Sequence, residues 1–378
     1  MNGLDGFSQE ELARYARHFA IPEFGLSGQQ KLKQAKVLVV GAGGLGSPVL
    51  LYLAAAGVGH LGIIEFDRID VSNLQRQVLY GISDVGQKKA EKAKARLLDL
   101  NPHIEVTIYD EALTRENALD LIAQYDVVAD GTDNFQTRYL VNDACVLTGK
   151  VNVYASIFRF EGQVAVFNYL KEDGTRGPNY RDIFPEPPPP DLVPNCAEGG
   201  VLGVLPGIIG SMQASEVIKV ITGIGEALVG RLYLFDAASF TSRILKFKKR
   251  PNTVIEKLID YDQFCGILPS KASDIKNITP AALKELQNQQ SSYAIIDVRE
   301  PYEYQIGNLG GQLIPLDQIM DHAAQIPKDK QVIVICRSGK RSAKAIRQLQ
   351  EHFGMDNLYN LEGGLLGWRE AIDQTMEV

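Results

Sequence analysis

Four charged side chains follow a glycine-rich turn at telling intervals: the turn is "GAGGLG" at 41–46, and behind it come Glu65, Arg76, Lys89 and Asp133. A second group lies far downstream, where the thiol of Cys336 is followed at once by Arg337, Lys340 and Arg341. The glycines Gly41, Gly43, Gly44 and Gly46 fit a G-x-G-x-x-G pattern, which lets backbone approach a phosphate closely and hands it to a helix N-terminus. Glu65 stands 19 residues after Gly46, where an acid holds a ribose hydroxyl. That much reads equally as a dehydrogenase. Arg76 in "SNLQRQ" and Lys89 in "GQKKAEKAKA" add two cations that suit a triphosphate whose pyrophosphate leaves with extra negative charge. Asp133 in "DGTDN" suits the Mg²⁺ that travels with a triphosphate, because that ion takes only one or two protein carboxylates. Taken singly, Arg76 and Lys89 also suit a solvated face and Asp133 a turn; their coincidence favours the phosphate.

These groups need elements to hold them. "AKVLVV" (35–40) reads as a buried parallel strand, "SPVLLYLAAAG" as a helix with Pro48 in its first turn, and "HLGIIEF" as the next strand. "YDVVAD" (125–130) is a later strand of the same sheet, ending in the acidic turn. Residues 151–169 read as strands, 184–200 as an extended proline-rich loop, "SMQASEVIKVITG" as a helix closed by Gly223, and "RLYLFDAASFTSRILKF" as two more strands. A connecting segment at 251–275 separates a domain at 1–250 from a smaller one at 276–378. In the latter, Thr279 caps a helix that has Pro280 in its first turn, "YAIIDV" and "KQVIVIC" are buried strands, and the second strand delivers Cys336 into a loop and helix. The expected fold is α/β: a Rossmann-like nucleotide-binding domain with a mainly parallel sheet, followed by a smaller α/β domain.

Composition narrows the class. The chain has 378 residues, 45% hydrophobic and 22% charged, with net charge −7, so neither nucleic acid nor an anionic membrane is expected as a partner. Residues 37–59 carry no charge, but the glycine cluster and Pro48 break that run into strand, turn and helix rather than a membrane span. The N-terminal stretch has acidic residues and no signal-peptide core, and the four cysteines, Cys145, Cys196, Cys265 and Cys336, form no CxxC pair; a reducing cytoplasm is expected. None of the five histidines lies in a phosphate motif.

"RYARH", "GAGGLGSP", "SNLQRQ", "GQKKAEKAKA", "DGTDNFQTRY" and "EGGVLGVLPGIIGSMQASEVIK" together resemble the MoeB/ThiF/HesA adenylyltransferases, relatives of the ubiquitin-activating enzymes, over about residues 8–250. The resemblance implies ATP-dependent adenylation of the C-terminal glycine of a small ubiquitin-like sulfur carrier ending in Gly-Gly. It implies that Gly44, Glu65, Ser72, Asn73, Arg76, Lys89, Asp133 and Asn134 bind ATP or its magnesium, and that Arg17 reaches the nucleotide of the other subunit of a homodimer. A terminal carboxylate is ionised at neutral pH and needs no general base, so positioning and charge neutralisation suffice. The C-terminal part, from "DVREPYEY" through "CRSGKRS" to "EGGLLGW", resembles single-domain rhodaneses, which implies a persulfide on Cys336 loaded by a persulfide donor. A helix N-terminus and the neighbouring cations favour an anionic sulfur there. Four residues separate Cys336 from Arg341, whereas related phosphatases use a longer C-x5-R loop.

Three departures matter. Many relatives carry two CxxC pairs for a structural zinc; here Asn179 and Asp182 of "PNYRDIF" stand in the first pair's places and the second pair is missing after Arg250, so no zinc is expected. Asn308 stands where rhodaneses usually have His, a change that touches packing more than chemistry. Cys196 lies on the loop that crosses the carrier's tail in relatives, and sulfur chemistry or a spectator role both fit it. An NAD-dependent oxidoreductase fused to a rhodanese and a non-catalytic carrier-binding scaffold are the alternatives; the Arg76, Lys89 and Asp133 set argues against both.

Overall fold

The computed structural model describes residues 6–188, 200–251, 253–265, 275–289 and 292–378. It divides into two compact units, Met1–Leu268 and Pro269–Val378.

The first unit is built on eight strands: β1 (Lys36–Val40), β2 (His60–Ile64), β3 (Glu105–Tyr109), β4 (Val127–Asp130), β5 (Val151–Phe158), β6 (Glu161–Phe167), β7 (Arg231–Asp236) and β8 (Thr241–Lys246). They lie in the order β3-β2-β1-β4-β5-β6-β7-β8. Pairing is parallel from β3 to β5 and antiparallel beyond. β1 is central because it is apolar on both faces: Val37 and Val39 join one core, Leu38 and Val40 the other. The chain runs outward from β1 through β2 to β3, then returns to place β4 on β1's other side. Loops leaving the carboxyl ends of β1 and β4 therefore diverge and open a crevice between them.

The uncharged run 37–59 is indeed broken into strand, turn and the helix Gly46–Ala56, which Gly57 ends at φ +84°. Among the described residues no helix is long and apolar enough to cross a membrane. The helix expected from Ser211 begins six residues earlier, at Leu205, and runs to Thr222 with Pro206 in its first turn, where a missing N–H is harmless. It crosses the Gly46–Ala56 helix closely, for a Cβ on Gly210 would lie 2.4 Å from Pro48 Cγ.

Part of the stretch read from sequence as a connection packs on this first unit. A short helix, Tyr261–Phe264, carries Tyr261 and Cys265 into the core on one face of the sheet.

The second unit has a five-stranded parallel sheet: β9 (Lys276–Ile278), β10 (Tyr293–Asp297), β11 (Gln312–Leu313), β12 (Gln331–Ile335) and β13 (Leu358–Leu361), ordered β11-β10-β12-β13-β9. Thr279 caps the Pro280–Asn288 helix by accepting from Ala282 N at 3.2 Å. The Lys340–Phe353 helix buries Ser342, Ala345, Ile346 and Leu349, a spacing that keeps one stripe inward.

Candidate functional site

A cleft opens at the carboxyl ends of β1, β2 and β4, lined among others by Gly41, Gly43, Gly44, Glu65, Arg76, Lys89, Asp133 and Asn134. Eight of the residues singled out from sequence thus meet in one place. The turn is shaped by steric need: Gly41 has φ +89°, and a Cβ on Gly46 would lie 2.0 Å from Gly41 O. Gly46 is therefore a support behind the turn, not a wall of the cleft.

Glu65, 8% exposed, accepts from Ala42 N at 3.0 Å and from Asp67 N at 2.9 Å. It fastens the glycine turn to the segment after β2, and each oxygen keeps a lone pair for a ligand hydroxyl. Lys89 opens the Lys89–Leu100 helix, and its side chain, only 5% exposed, places the ammonium 2.9 Å from Asp67 Oδ2. That partner was not foreseen. Arg76 donates to Ser72 O at 3.0 Å. Ser72 and Asn73 do not line the cleft. Ser72 Oγ donates to Asp70 Oδ1, and Asn73 Oδ1 accepts from Asp70 N, so both shape the tight turn that carries Arg76. Arg17, on the short helix Ala16–Phe19, is exposed and does not line its own chain's cleft.

The acidic turn is rigid from beneath. Asp130, fully buried, accepts from Thr132 N at 3.0 Å and Thr132 Oγ1 at 2.6 Å, while Gln213 Nε2 donates to Asp130 O at 2.8 Å. Burial pushes the Asp130 carboxyl up to about 6, against the pull of Arg138 and the Thr132 bonds. Asn134 Oδ1 caps the Phe135–Thr148 helix by accepting from Thr137 N. Asp133 faces the cleft with a long 3.5 Å contact from Asn134 Nδ2, an arrangement that fits one carboxylate on a phosphate-bound Mg²⁺. Arg138, four residues beyond Asn134, also lines the cleft; its place one helical turn after the cap was the available signal. No histidine is among the lining residues.

Asn179 and Asp182 do not form half of a thiolate site. Asn179 caps a short helix, Asp182 Oδ2 accepts from Asn179 N, and Asp182 Oδ1 accepts from Arg250 N at 2.8 Å. Beside them Arg181 forks onto Asp143 at 2.8 and 2.7 Å, and Tyr261 OH donates to Asp143 Oδ2 at 2.8 Å. Hydrogen bonds and ion pairs thus join the segment at 179–183 to the one at 250–261. Burial and the Asp143 carboxylate both push the Tyr261 hydroxyl above its ordinary range, so it stays a donor.

In the second unit Cys336 directly follows β12 at 1% exposure, and its Sγ accepts from Gly339 N at 3.2 Å and lies 3.3 Å from Ser342 Oγ. Ser342 Oγ also lies 2.6 Å from Asn360 Oδ1, so one hydroxyl proton serves two acceptors. The "EGG" turn grips the loop from behind: Leu365 N donates to Cys336 O and Leu366 N to Arg337 O. A Cβ on Gly364, whose φ is +59°, would lie 2.4 Å from Cys336 O. Of the three expected cations, Arg341 is forked onto Glu303 by two bonds of 2.6 Å. Burial alone would raise the Glu303 carboxyl, but Arg341 and the Glu300 N–H bring it below its ordinary range. Asn308 is exposed, bonding Tyr304 O and Gly310 N. Cys196 lies outside the described residues.

The ThiF family model matches residues 15–255, and the rhodanese-like domain model matches 279–371. A relative named "Probable adenylyltransferase/sulfurtransferase MoeZ" from Mycobacterium tuberculosis is 48% identical over 376 residues, covering 98% of this chain and 95% of its own. "Adenylyltransferase and sulfurtransferase MOCS3" of Drosophila grimshawi is 41% identical, covering 98% of this chain and 87% of its own. Among solved structures, Escherichia coli MccB aligns with TM-score 0.57 at 23% identity, over 67% of this chain and 74% of that one, a likeness of fold.

Proposed function

The chain belongs to the ThiF family and carries a rhodanese-like domain behind its ThiF domain, and from that premise we propose that its two sites act in sequence on one sulfur carrier. It is an adenylyltransferase and sulfurtransferase that uses ATP. The observation that carries the proposal is the coexistence of a phosphate cleft, with Glu65, Arg76, Lys89 and Asp133 on its walls, and a cradled thiol at the end of β12.

In the cleft Glu65 takes the ribose, and the N–H groups of the glycine turn face the phosphates. Arg76 and Lys89 neutralise the pyrophosphate as it leaves. Asp133 holds the magnesium, which when bound screens phosphate charge. The carrier's terminal carboxylate attacks the α-phosphorus with no proton to remove. In the second unit Cys336 carries the outer sulfur of a persulfide, with Gly339 N–H and Ser342 O–H as donors to the sulfur it rests on. That outer sulfur attacks the carrier's acyl adenylate, AMP departs, and an acyl disulfide forms. A thiolate then attacks the Cys336 sulfur, forming a disulfide with it and releasing the carrier thiocarboxylate; Cys196 is the candidate within this chain, and an external dithiol must reduce that disulfide before the next turnover. A homodimer in which Arg17 completes the partner's nucleotide site, a cytoplasmic location and a first unit closed by its polar network without zinc belong to the same reading.

Intact-mass analysis of a carrier ending in Gly-Gly, incubated with the protein, ATP, Mg²⁺ and thiosulfate, tests it. Wild type should replace one carrier oxygen by sulfur. Cys336→Ala should still adenylate the carrier yet leave its final mass unchanged. A normal thiocarboxylate yield from Cys336→Ala refutes the second unit as sulfur donor.

A further inference from the structure

Three cations are found among the described residues lining the cleft: Arg76, Lys89 and Arg138. The first two come from the segment after β2 and are already engaged, Lys89 by Asp67 and Arg76 by Ser72 O. Arg138 enters from elsewhere, on the first turn of the helix that Asn134 caps. Its side chain is held by the rings of Phe135 and Tyr154, with the guanidinium carbon 5.3 and 5.4 Å from their centroids. It is only 6% exposed, touches Thr132 O through a long 3.4 Å bond, and its Nε has no hydrogen-bond partner. The guanidinium also faces the Tyr154 and Tyr180 hydroxyls, bonding Tyr180, and the Asp130 carboxylate beneath offsets part of its charge. Ile157 and Val201 line the same cleft and help exclude water, which strengthens any ion pair formed there.

Adenylation sets a problem that the other two cations do not solve. A carboxylate must approach a phosphate, and these two anions repel. A carboxylate oxygen forms a bond to the α-phosphorus while the bond from that phosphorus to the bridging oxygen breaks; pyrophosphate leaves with the electron pair and no proton moves. Arg76 and Lys89 are assigned to the leaving pyrophosphate, so the attacking side needs its own cation. A guanidinium presents a planar fork that binds one oxygen from each of two anions or both oxygens of a carboxylate. We propose that Arg138 is a catalytic residue that binds the carrier's terminal carboxylate and brings it against the α-phosphate. The proposal rests on the adenylation reading above.

The test uses the full chain, Arg138→Met and Arg138→Lys variants, and a MoaD-type carrier ending in Gly-Gly, with the same carrier lacking its last glycine as the blank. Carrier-dependent ATP–pyrophosphate exchange should fall about 100-fold in kcat/KM for Arg138→Met, as on removal of one well-placed transition-state donor. Arg138→Lys should recover roughly a tenth of the wild-type rate, because it keeps the charge without the fork. ATP binding, titrated without carrier, should change less than about threefold in both, since the nucleotide's cations remain. Arg138→Met exchanging at the wild-type rate overturns the proposal. So does a loss confined to ATP affinity with kcat intact. If Arg138→Met does not fold, Arg138→Lys decides, and a wild-type rate from it rejects the fork. Failure of the wild type to exchange at all instead refutes adenylation itself.

Discussion

Replacing Asp67 by Asn removes the charge that faces Lys89 while keeping shape and a carbonyl acceptor. The Lys89 side chain is 5% exposed with its ammonium 2.9 Å from Asp67 Oδ2, so it has little water to fall back on. Stripping the partner from a fully buried pair costs about 3–5 kcal/mol. Here the Asp67 side chain is 55% exposed and the amide still accepts one bond, which lowers the expected loss to about 1–2 kcal/mol. A triphosphate supplies new negative charge to Lys89, so saturating nucleotide should stabilise Asp67→Asn more than wild type and narrow the gap between them. Urea unfolding of the full chain, followed by far-UV circular dichroism with and without a non-hydrolysable ATP analogue, measures this. The sole tryptophan, Trp368, is buried in the second unit and gives a fluorescence transition for that unit, which should not move. A gap of the same size with and without nucleotide would show that Lys89 does not face the phosphates, and the cleft assignment would fail with it.

Asp133→Ala should abolish carrier-dependent ATP–pyrophosphate exchange while leaving thiosulfate sulfurtransferase activity intact; unchanged exchange removes Asp133 from the magnesium site. Gly364→Ala should do the reverse, because its Cβ would sit 2.4 Å from Cys336 O at φ +59°; a loss above about 2 kcal/mol at Trp368, or at least tenfold slower sulfur transfer, is expected with exchange preserved. Glu303, with its carboxyl lowered by Arg341 and Glu300 N–H against burial, gives stability present above the ordinary glutamate range and lost as pH falls through its folded value. The gap between wild type and Glu303→Gln at Trp368 should therefore be full near neutrality and close below about pH 4.3; a gap that widens in acid contradicts the pairing.

What could be read from sequence was local. Val37–Val40 form an unbroken apolar run, so β1 had to be central and buried; Gly41 to Gly46 announced the turn; Thr279 and Pro280 announced a helix start. The spacing of Glu65, Arg76, Lys89 and Asp133 brought them to one cleft because strands of one parallel sheet end on the same edge. What was not legible was pairing at a distance. Asp67 with Lys89, Glu303 with Arg341, and Asp143 with Tyr261 are 22, 38 and 118 residues apart, and no period links them. These pairs alter the reading: Lys89 starts out neutralised, and the cysteine loop carries fewer uncompensated cations than its composition implies. Ser72 and Asn73 sit in a motif that sequence treats as one unit, whereas the fold spends them on holding Arg76's turn.

The second unit pairs its first strand with its last: β9, at 276–278, completes the sheet only against β13, at 358–361. The grip on the cysteine loop comes later still, from Gly364, Leu365 and Leu366. During synthesis, the thiol therefore emerges about thirty residues before the backbone that grips its loop from behind. A ribosome that stalls or terminates in that interval releases a chain with the cysteine but neither a closed sheet nor the grip on its loop. Such a chain would still carry the whole ThiF domain, 15–255, so on the reading above it would occupy the carrier without passing sulfur to it.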